Sequence, residues 1–599
     1  MKDAVKWDLR DLYKGMKDPR IEMTLKSGIQ RSEEFASKYK SKIDSPELSA
    51  HMLRQALEEY ESILQEIDKP AGFASLLFSA DTNDAARGAF LQSMRERHTE
   101  IAVRLVFFEL ELMAIPEERM AELAKNPILA PYQHHIWAAR LFREHRLSEA
   151  EEKLLEEKAN TGKRAFARLF EQIVSNILFQ TSKGDEVESL TLSEILALLR
   201  NPEREIRKTA AAGLTEGLVS NSRALTYIHN ILIQDKATDD RLRRYEYPEQ
   251  PRHLANEVEQ STVELVISTA VDNYPLVGRY YRLKRKILGY EKLMHYDRYA
   301  PLFETKEEIE FAKAREIVMN AFGEFNTVMK SVGDKFFENG WIDAEVRKGK
   351  RGGAYCSYIT PDLHPYVFLN YLNKMDDVMT LGHEMGHAVH ACLAREQTYM
   401  NFAPVLPVAE LASTFGEMLV FEALQKKAGL EDKLALYADK IEGAFATIFR
   451  QAAMYKFEQA THAMRREQGE LTIDQFSVKW QELQQEMFGD SVELGDEHKL
   501  WWMYVPHFIN SPFYVYAYTF GELLVMSLYA MYKRDGDSFS PRYIELLKAG
   551  GSSMPGEMLS RIGIDIQEPA FWQGGMEVLA GMVDQFEELH REWKKNATH

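Results

Sequence analysis

Residues 383–387 read His-Glu-Met-Gly-His, and this spacing constrains the chain more than any other stretch. On an α-helix, residues four apart lie on one face, one turn apart. Two imidazoles so placed can both reach one zinc ion at about 2.0–2.1 Å. Glu384 sits one step round from His383, so it flanks the metal position without having to bind it, where a base for an activated water belongs. The same five letters also occur by chance on charged, solvated helix faces, and the surroundings must separate the two readings.

Three surrounding features favour a metal site. Asn373-Lys374-Met375-Asp376 resembles a helix N-cap with an acidic residue in the first turn, and no Pro interrupts 374–395. Gly382 and Gly386 lower helix propensity, so something should require them; small side chains beside the His pair would let a second helix approach closely. Asp376, Thr380, His383, His387 and His390 recur at steps of 4, 3, 4 and 3. They form a polar stripe between apolar Met379, Leu381, Val389 and Leu393, which suggests a lined cavity. The third feature is a further ligand downstream.

A catalytic zinc takes three protein ligands and keeps one position open. A third His six residues after His387 would mark a metzincin, but position 393 is Leu. A carboxylate on a later helix remains, and Glu396, Glu410, Glu417 and Glu422 are the candidates. Glu396 is too close, because the first helix must end and turn back, and Pro404-Val-Leu-Pro407 makes that turn. Val408 to Glu417 then starts a second helix on which Glu410, Ser413, Thr414 and Glu417 share a face. Glu410 is the expected third ligand beside His383 and His387. Glu417, two turns on, would either orient a ligand His through its other ring nitrogen or form an ordinary ion pair.

The stretch His383–His390, followed by Ala409–Glu417, resembles the M3 family of zinc oligopeptidases, in its oligoendopeptidase F branch. Lys348-Gly-Lys-Arg-Gly-Gly-Ala-Tyr-Cys356, the His/Tyr segment His507–Gly521 and the opening Trp7-Asp-Leu-Arg-Asp-Leu-Tyr13 extend the likeness over nearly the whole chain. The resemblance implies a mainly α, two-lobed, zincin-type fold similar to the thimet and neurolysin peptidases. It further implies a deep substrate channel, a small β-sheet next to the His383 helix, one Zn²⁺ per chain, and cleavage within short unfolded oligopeptides. In the family a strand at the Gly-rich segment pairs with the extended substrate, which here points to Gly352, Gly353, Ala354 and Tyr355. Such an edge strand reads a peptide through its main chain and so tolerates varied side chains.

The segment Trp501–Tyr518 is strongly aromatic, which by itself describes a core helix, yet Pro506, His507, Asn510 and Pro512 are poor core residues. The resemblance carries His507 and two tyrosines over as donors to a developing oxyanion. Tyr514 and Tyr518 are chosen because i,i+4 partners can point together into a cavity; Tyr516 is the rival. In the implied reaction Glu384 takes a proton from the activated water and delivers one to the leaving amine. Two other readings use the same residues. A dipeptidyl-carboxypeptidase or carboxypeptidase would need a cation such as Arg347, Lys348 or Arg351 to hold the substrate C-terminus. A non-catalytic helical scaffold would hold the metal structurally.

Composition bounds the remainder. With 92 acidic against 74 basic residues the net charge is −18, which argues against nonspecific nucleic-acid or anionic-membrane partners. Two cysteines, Cys356 and Cys392, exclude a disulfide framework and fit a reducing compartment as ordinary buried thiols. No signal-peptide core and no apolar run of about 18 residues is present, so the expected location is cytoplasmic. Helical periodicity dominates, with three or four long helices over 20–125 and a capping box at Ser148. The pattern breaks at 181–190, and the expected division is an N-terminal helical lobe, 1–195, and a catalytic domain, 196–599. The best strand signals are 352–360 and 366–372.

Overall fold

Long amphipathic helices account for most of the chain because apolar residues recur at helical spacing with few breakers between them. The computed structural model describes residues 5–183, 186–303 and 307–597. The region expected to hold three or four helices forms Pro19–Tyr39, Ala50–Ala80, Ala85–Ala114 and Glu117–Ala124. Their facing stripes meet in one apolar cluster that includes Leu25, Leu53, Leu57, Ile67, Leu105 and Phe108. Each such side chain contributes about 1.5–3 kcal/mol by leaving water.

The chain forms two compact units that interleave in sequence. One comprises Met1–Arg143, Glu307–Lys427 and Met531–Asp565; the other comprises Glu144–Lys306, Ala428–Ala530 and Ile566–His599. The second unit is built on the 40-residue helix Arg204–Arg243 and the helices Leu430–Thr447, Phe449–Gln468 and Ile473–Phe488. Its Glu149–Ala159 helix begins with the expected capping box, Ser148 with Glu151.

The break at 181–190 is a β-hairpin rather than a plain loop. Strands Phe179–Lys183 and Glu186–Leu190 pair antiparallel, and residues 184 and 185 of that break lie outside the described residues. A second sheet belongs to the first unit and has three strands. Tyr366–Phe368 is central, Ile342–Asp343 pairs with it in parallel, and Tyr355–Ser357 pairs antiparallel on the other side. The two longer strand signals thus correspond to Tyr355–Ser357 and Tyr366–Phe368; a two-residue strand such as Ile342–Asp343 is too short to show periodicity. Buried Asp343 is gripped by the two terminal guanidinium nitrogens of Arg347, at 2.7 and 2.8 Å, and by Lys350 at 2.7 Å. No helix among the described residues is long and apolar enough to cross a membrane. Cys356 and Cys392 are free thiols, and both are half-buried rather than fully buried.

Candidate active site

The His383 helix runs Met375–Leu393. Its cap differs from the expectation at Asn373. Asn373 takes a left-handed φ of 65°, and Asp377 instead accepts the N–H groups of Leu372 and Lys374 at 2.7 and 2.8 Å. The partner helix is Leu411–Lys427. Glu410 is not inside it: a short helix Leu406–Ala409 ends at Glu410, and the longer one begins one residue later. Pro407, at the start of the short helix, supplies the expected turn.

The glycines explain why these two helices meet. A Cβ on Gly386 would stand 2.1 Å from the Ala412 carbonyl oxygen and 2.6 Å from Ser413 Cα, and one on Gly382 would stand 2.7 Å from Val420 Cγ2. Gly416 answers from the partner helix, where a Cβ would lie 3.0 Å from the Gly382 carbonyl oxygen. Backbone therefore packs on backbone at 386 and 412, a separation that any larger residue would prevent.

That crossing brings His383, His387 and Glu410 together. The Nε2 atoms of His383 and His387 each lie 3.3 Å from Glu410 Oε2, and one ligand atom from each residue falls within 4.8 Å of the others. A tetrahedral ion with bonds of about 2.0–2.1 Å separates its ligand atoms by about 3.3–3.4 Å, so the donor set fits zinc in both type and spacing. Among the described residues this is the one group of three or more His, Cys, Asp or Glu so arranged. Ser413 Oγ donates to Glu410 Oε2 at 2.6 Å and fixes the carboxylate. His383 Nδ1 lies 3.3 Å from Glu417 Oε2. Burial alone would lower the His383 pKa, but Glu410 and Glu417 outweigh it and raise it to about 10. Burial would raise Glu410, and the two imidazoles instead pull it well below the carboxylate range.

Glu384 is 5% exposed. Its Oε2 is buried with no hydrogen-bond partner, and burial raises its pKa against the opposing pull of His383 and His387. His390, the last residue of the polar stripe, is buried and falls outside the three-residue donor set; burial lowers its pKa to about 4. Tyr358 lies close enough to the site to feel its carboxylates, which no sequence signal marks. It follows the strand Tyr355–Ser357, and its phenol is raised by burial and by the nearby carboxylates of Glu410 and Glu384.

Gly352 and Gly353 are exposed and lead through Ala354 into the edge strand Tyr355–Ser357. A Cβ on either glycine would meet nothing within 4 Å, and Gly353 has a left-handed φ of 82°. Asn370 Nδ2 donates to the carbonyls of Arg351 and Gly353, each at 3.0 Å, and holds the loop. The guanidinium of Arg351 lies over the Tyr355 ring at 5.8 Å.

His507, Tyr514 and Tyr518 belong to the second unit and lie together there. The rings of His507 and Tyr514 are nearly parallel with centroids 6.0 Å apart, and His507 Nε2 is 3.4 Å from the Tyr518 hydroxyl. Burial and then the Arg450 charge lower the pKa of His507. Tyr516 turns the other way: it is fully buried, and its hydroxyl accepts from Asn256 Nδ2 at 2.8 Å.

Comparison with known proteins agrees with these features. The profile of peptidase family M3 matches residues 197–578, and one described as oligopeptidase F matches 111–179. The oligopeptidase PepF of Bacillus subtilis (strain 168) is 28% identical over 92% of this chain and 83% of its own length. An oligoendopeptidase F homologue of Lactococcus lactis subsp. lactis (strain IL1403) is 28% identical over 98% of this chain and 97% of its own. Among solved structures, a Chlamydophila abortus chain designated a peptidase superposes with a TM-score of 0.89 at 25% identity, covering 98% of both chains. The oligoendopeptidase F of Enterococcus faecium shares the fold, with a TM-score of 0.71 at 21% identity over 95% of this chain and 98% of that one. The chain therefore belongs to peptidase family M3, a family of metallopeptidases, and is an enzyme that hydrolyses peptide bonds.

Proposed function

We propose that this peptidase is a zinc endopeptidase of short, unfolded oligopeptides. The observation that carries the reading is the convergence of His383 Nε2, His387 Nε2 and Glu410 Oε2 at tetrahedral spacing, 3.3 Å for each His–Glu pair, beside the buried carboxyl of Glu384. Under this reading His383, His387 and Glu410 hold one Zn²⁺ per chain, and Glu417 fixes the His383 ring through Nδ1. Bound there, zinc supplies Lewis acidity, which makes a water acidic near neutral pH and polarises a carbonyl.

Glu384 holds the proton of the attacking water on its carboxylate and returns it to the leaving amine. Its burial favours that protonated state. His507 and the hydroxyls of Tyr514 and Tyr518 donate to the scissile carbonyl oxygen as negative charge develops. The edge strand Tyr355–Ser357, entered through Gly352, Gly353 and Ala354, aligns the peptide backbone by main-chain pairing. The names oligopeptidase and oligoendopeptidase F of the relatives support short peptides as substrates. Endopeptidase action is favoured over dipeptide removal because Arg347, one proposed holder of a substrate C-terminus, is committed to Asp343. We also propose the sequence division 1–195 and 196–599; the start of the M3 match at residue 197 supports it.

The test is mass spectrometry of a peptide of about ten residues after incubation with the zinc-loaded protein. Internal cuts that a chelator abolishes and zinc restores are expected. Stepwise loss of C-terminal dipeptides would replace the endopeptidase reading. Cleavage that ignores the chelator would overturn the zinc reading.

A further inference from the structure

The chain between His507 and Tyr518 contains a backbone state that its own residues do not favour. Phe513 has a left-handed φ of 59° although its side chain is large and fully buried. For a bulky L-residue this conformation costs about 1–3 kcal/mol and persists only where its surroundings impose it. The surroundings are one face of the helix Phe449–Gln468. Glu458 Oε1 accepts the Phe513 N–H at 2.7 Å, and the His462 ring, one turn on, packs against the Phe513 ring at 4.6 Å. Two residues of one helix thus grip the backbone and the ring of the same residue.

Glu458 is an expensive choice for an ordinary core position. It is 2% exposed, and its second oxygen has no hydrogen-bond partner, so part of its desolvation is uncompensated. An apolar side chain would pack there at lower cost but could not accept the Phe513 N–H. What that bond controls follows immediately in the chain. The Tyr514 N–H donates to the Ser511 carbonyl at 3.1 Å, and the helix Tyr516–Asp535 starts two residues later. The dihedral at 513 therefore sets the direction in which Tyr514 leaves the turn and the phase of the helix that carries Tyr518. Both tyrosines flank His507, and their own rings meet edge to face at 5.2 Å. Arg252 lies over the Tyr514 ring at 5.6 Å.

We infer that Glu458 is a positioning residue for the reaction: its carboxyl oxygen holds Phe513 in the left-handed turn that places the Tyr514 and Tyr518 hydroxyls beside His507. The inference rests on the reading of those tyrosines as donors in turnover. Glu458 acts through them and touches no reacting atom.

Steady-state kinetics on the zinc-loaded full chain with a quenched-fluorescent peptide tests it. Glu458→Gln keeps the accepting oxygen and should stay within about twofold of the wild-type kcat. Glu458→Met keeps the length without that acceptor and should lower kcat by up to about a hundredfold, the scale of misplaced catalytic groups, with KM and zinc content nearly unchanged. In a Tyr514→Phe/Tyr518→Phe background, Glu458→Met should lower kcat no further, which a general packing defect would not reproduce. A wild-type kcat in Glu458→Met, an equal loss in Glu458→Gln, or a full additive loss in the double-Phe background would overturn the inference. If Glu458→Met shows no cooperative melting, Glu458→Asp, which withdraws the acid by one methylene, carries the same readouts, and a wild-type kcat there is equally fatal. A double-Phe enzyme with wild-type kcat would overturn the donor reading together with this inference, whereas loss there beside an unaffected Glu458→Met enzyme would overturn this inference alone.

Discussion

His383 stands with Nδ1 3.3 Å from Glu417 Oε2 while its other ring nitrogen faces Glu410. A carboxylate at Nδ1 fixes the tautomer that leaves Nε2 free to bind a metal and raises its basicity. Glu417→Ala should weaken zinc affinity by about 10–100-fold with the fold intact. Competition with a chromophoric chelator measures this, and unchanged affinity would reduce Glu417 to an ordinary ion pair.

Gly386→Ala should damage the site without touching a ligand. Its Cβ would fall 2.1 Å from the Ala412 carbonyl oxygen, and backbone on both sides cannot yield as a flexible side chain could. Overpacking of this kind typically costs about 1–3 kcal/mol, and backbone against backbone belongs at the upper end. A lowered melting temperature and a substoichiometric zinc content are expected. Gly353→Ala meets no neighbour, so its only penalty is the left-handed φ, and its zinc content should stay native.

Glu384→Gln should bind zinc at wild-type stoichiometry and lose about 10²–10⁴-fold in kcat, since an amide cannot hold the transferred proton. Elemental analysis with peptide turnover on the same sample decides it. Full activity in a zinc-loaded variant would remove Glu384 from the reaction.

The three tyrosines should separate by readout. Tyr514→Phe and Tyr518→Phe should lower kcat with little change in melting temperature. Tyr516→Phe leaves the Asn256 amide without its buried partner, which costs about 1–3 kcal/mol, and should lower stability with kcat retained. The reverse pattern would make Tyr516 the donor.

Glu458 should also leave a mark on stability against pH. Burial pushes its carboxyl from 4.5 up to about 8, opposed by the Phe513 N–H and the charges of Arg252 and Lys236 and reinforced by Glu249. Between those two values the native state holds the proton and the unfolded chain does not. The contribution is therefore fully present below the lower value and declines as pH rises through the window. The difference in unfolding free energy between wild type and Glu458→Gln should fall from about pH 5 to about pH 8. A flat difference would mean that the acid titrates normally.

Local rules made much of this protein legible. The helix carrying His383 and His387, the capping box at Ser148 and the helices of 20–125 depend on residues within a turn or two of each other, so periodicity and spacing reveal them. The need for a close neighbour at Gly382 and Gly386 was visible too, because glycine in a helix needs a reason. Local rules failed where near neighbours compete for one role or where an element starts slightly later than its pattern suggests. Asp377 rather than Asn373 caps the His383 helix, and Glu410 precedes its helix instead of riding on it.

By itself, the order of residues determined that two imidazoles share one helical face and that acids follow within reach beyond a Pro-marked turn, because helical geometry repeats every few residues and proline breaks it. Only the tertiary structure decided that Glu410 meets both rings, that Tyr516 points into the core while Tyr514 and Tyr518 flank His507, and that Glu458 grips Phe513. Those contacts depend on how separate helices cross, and a crossing is set by the packing of whole faces.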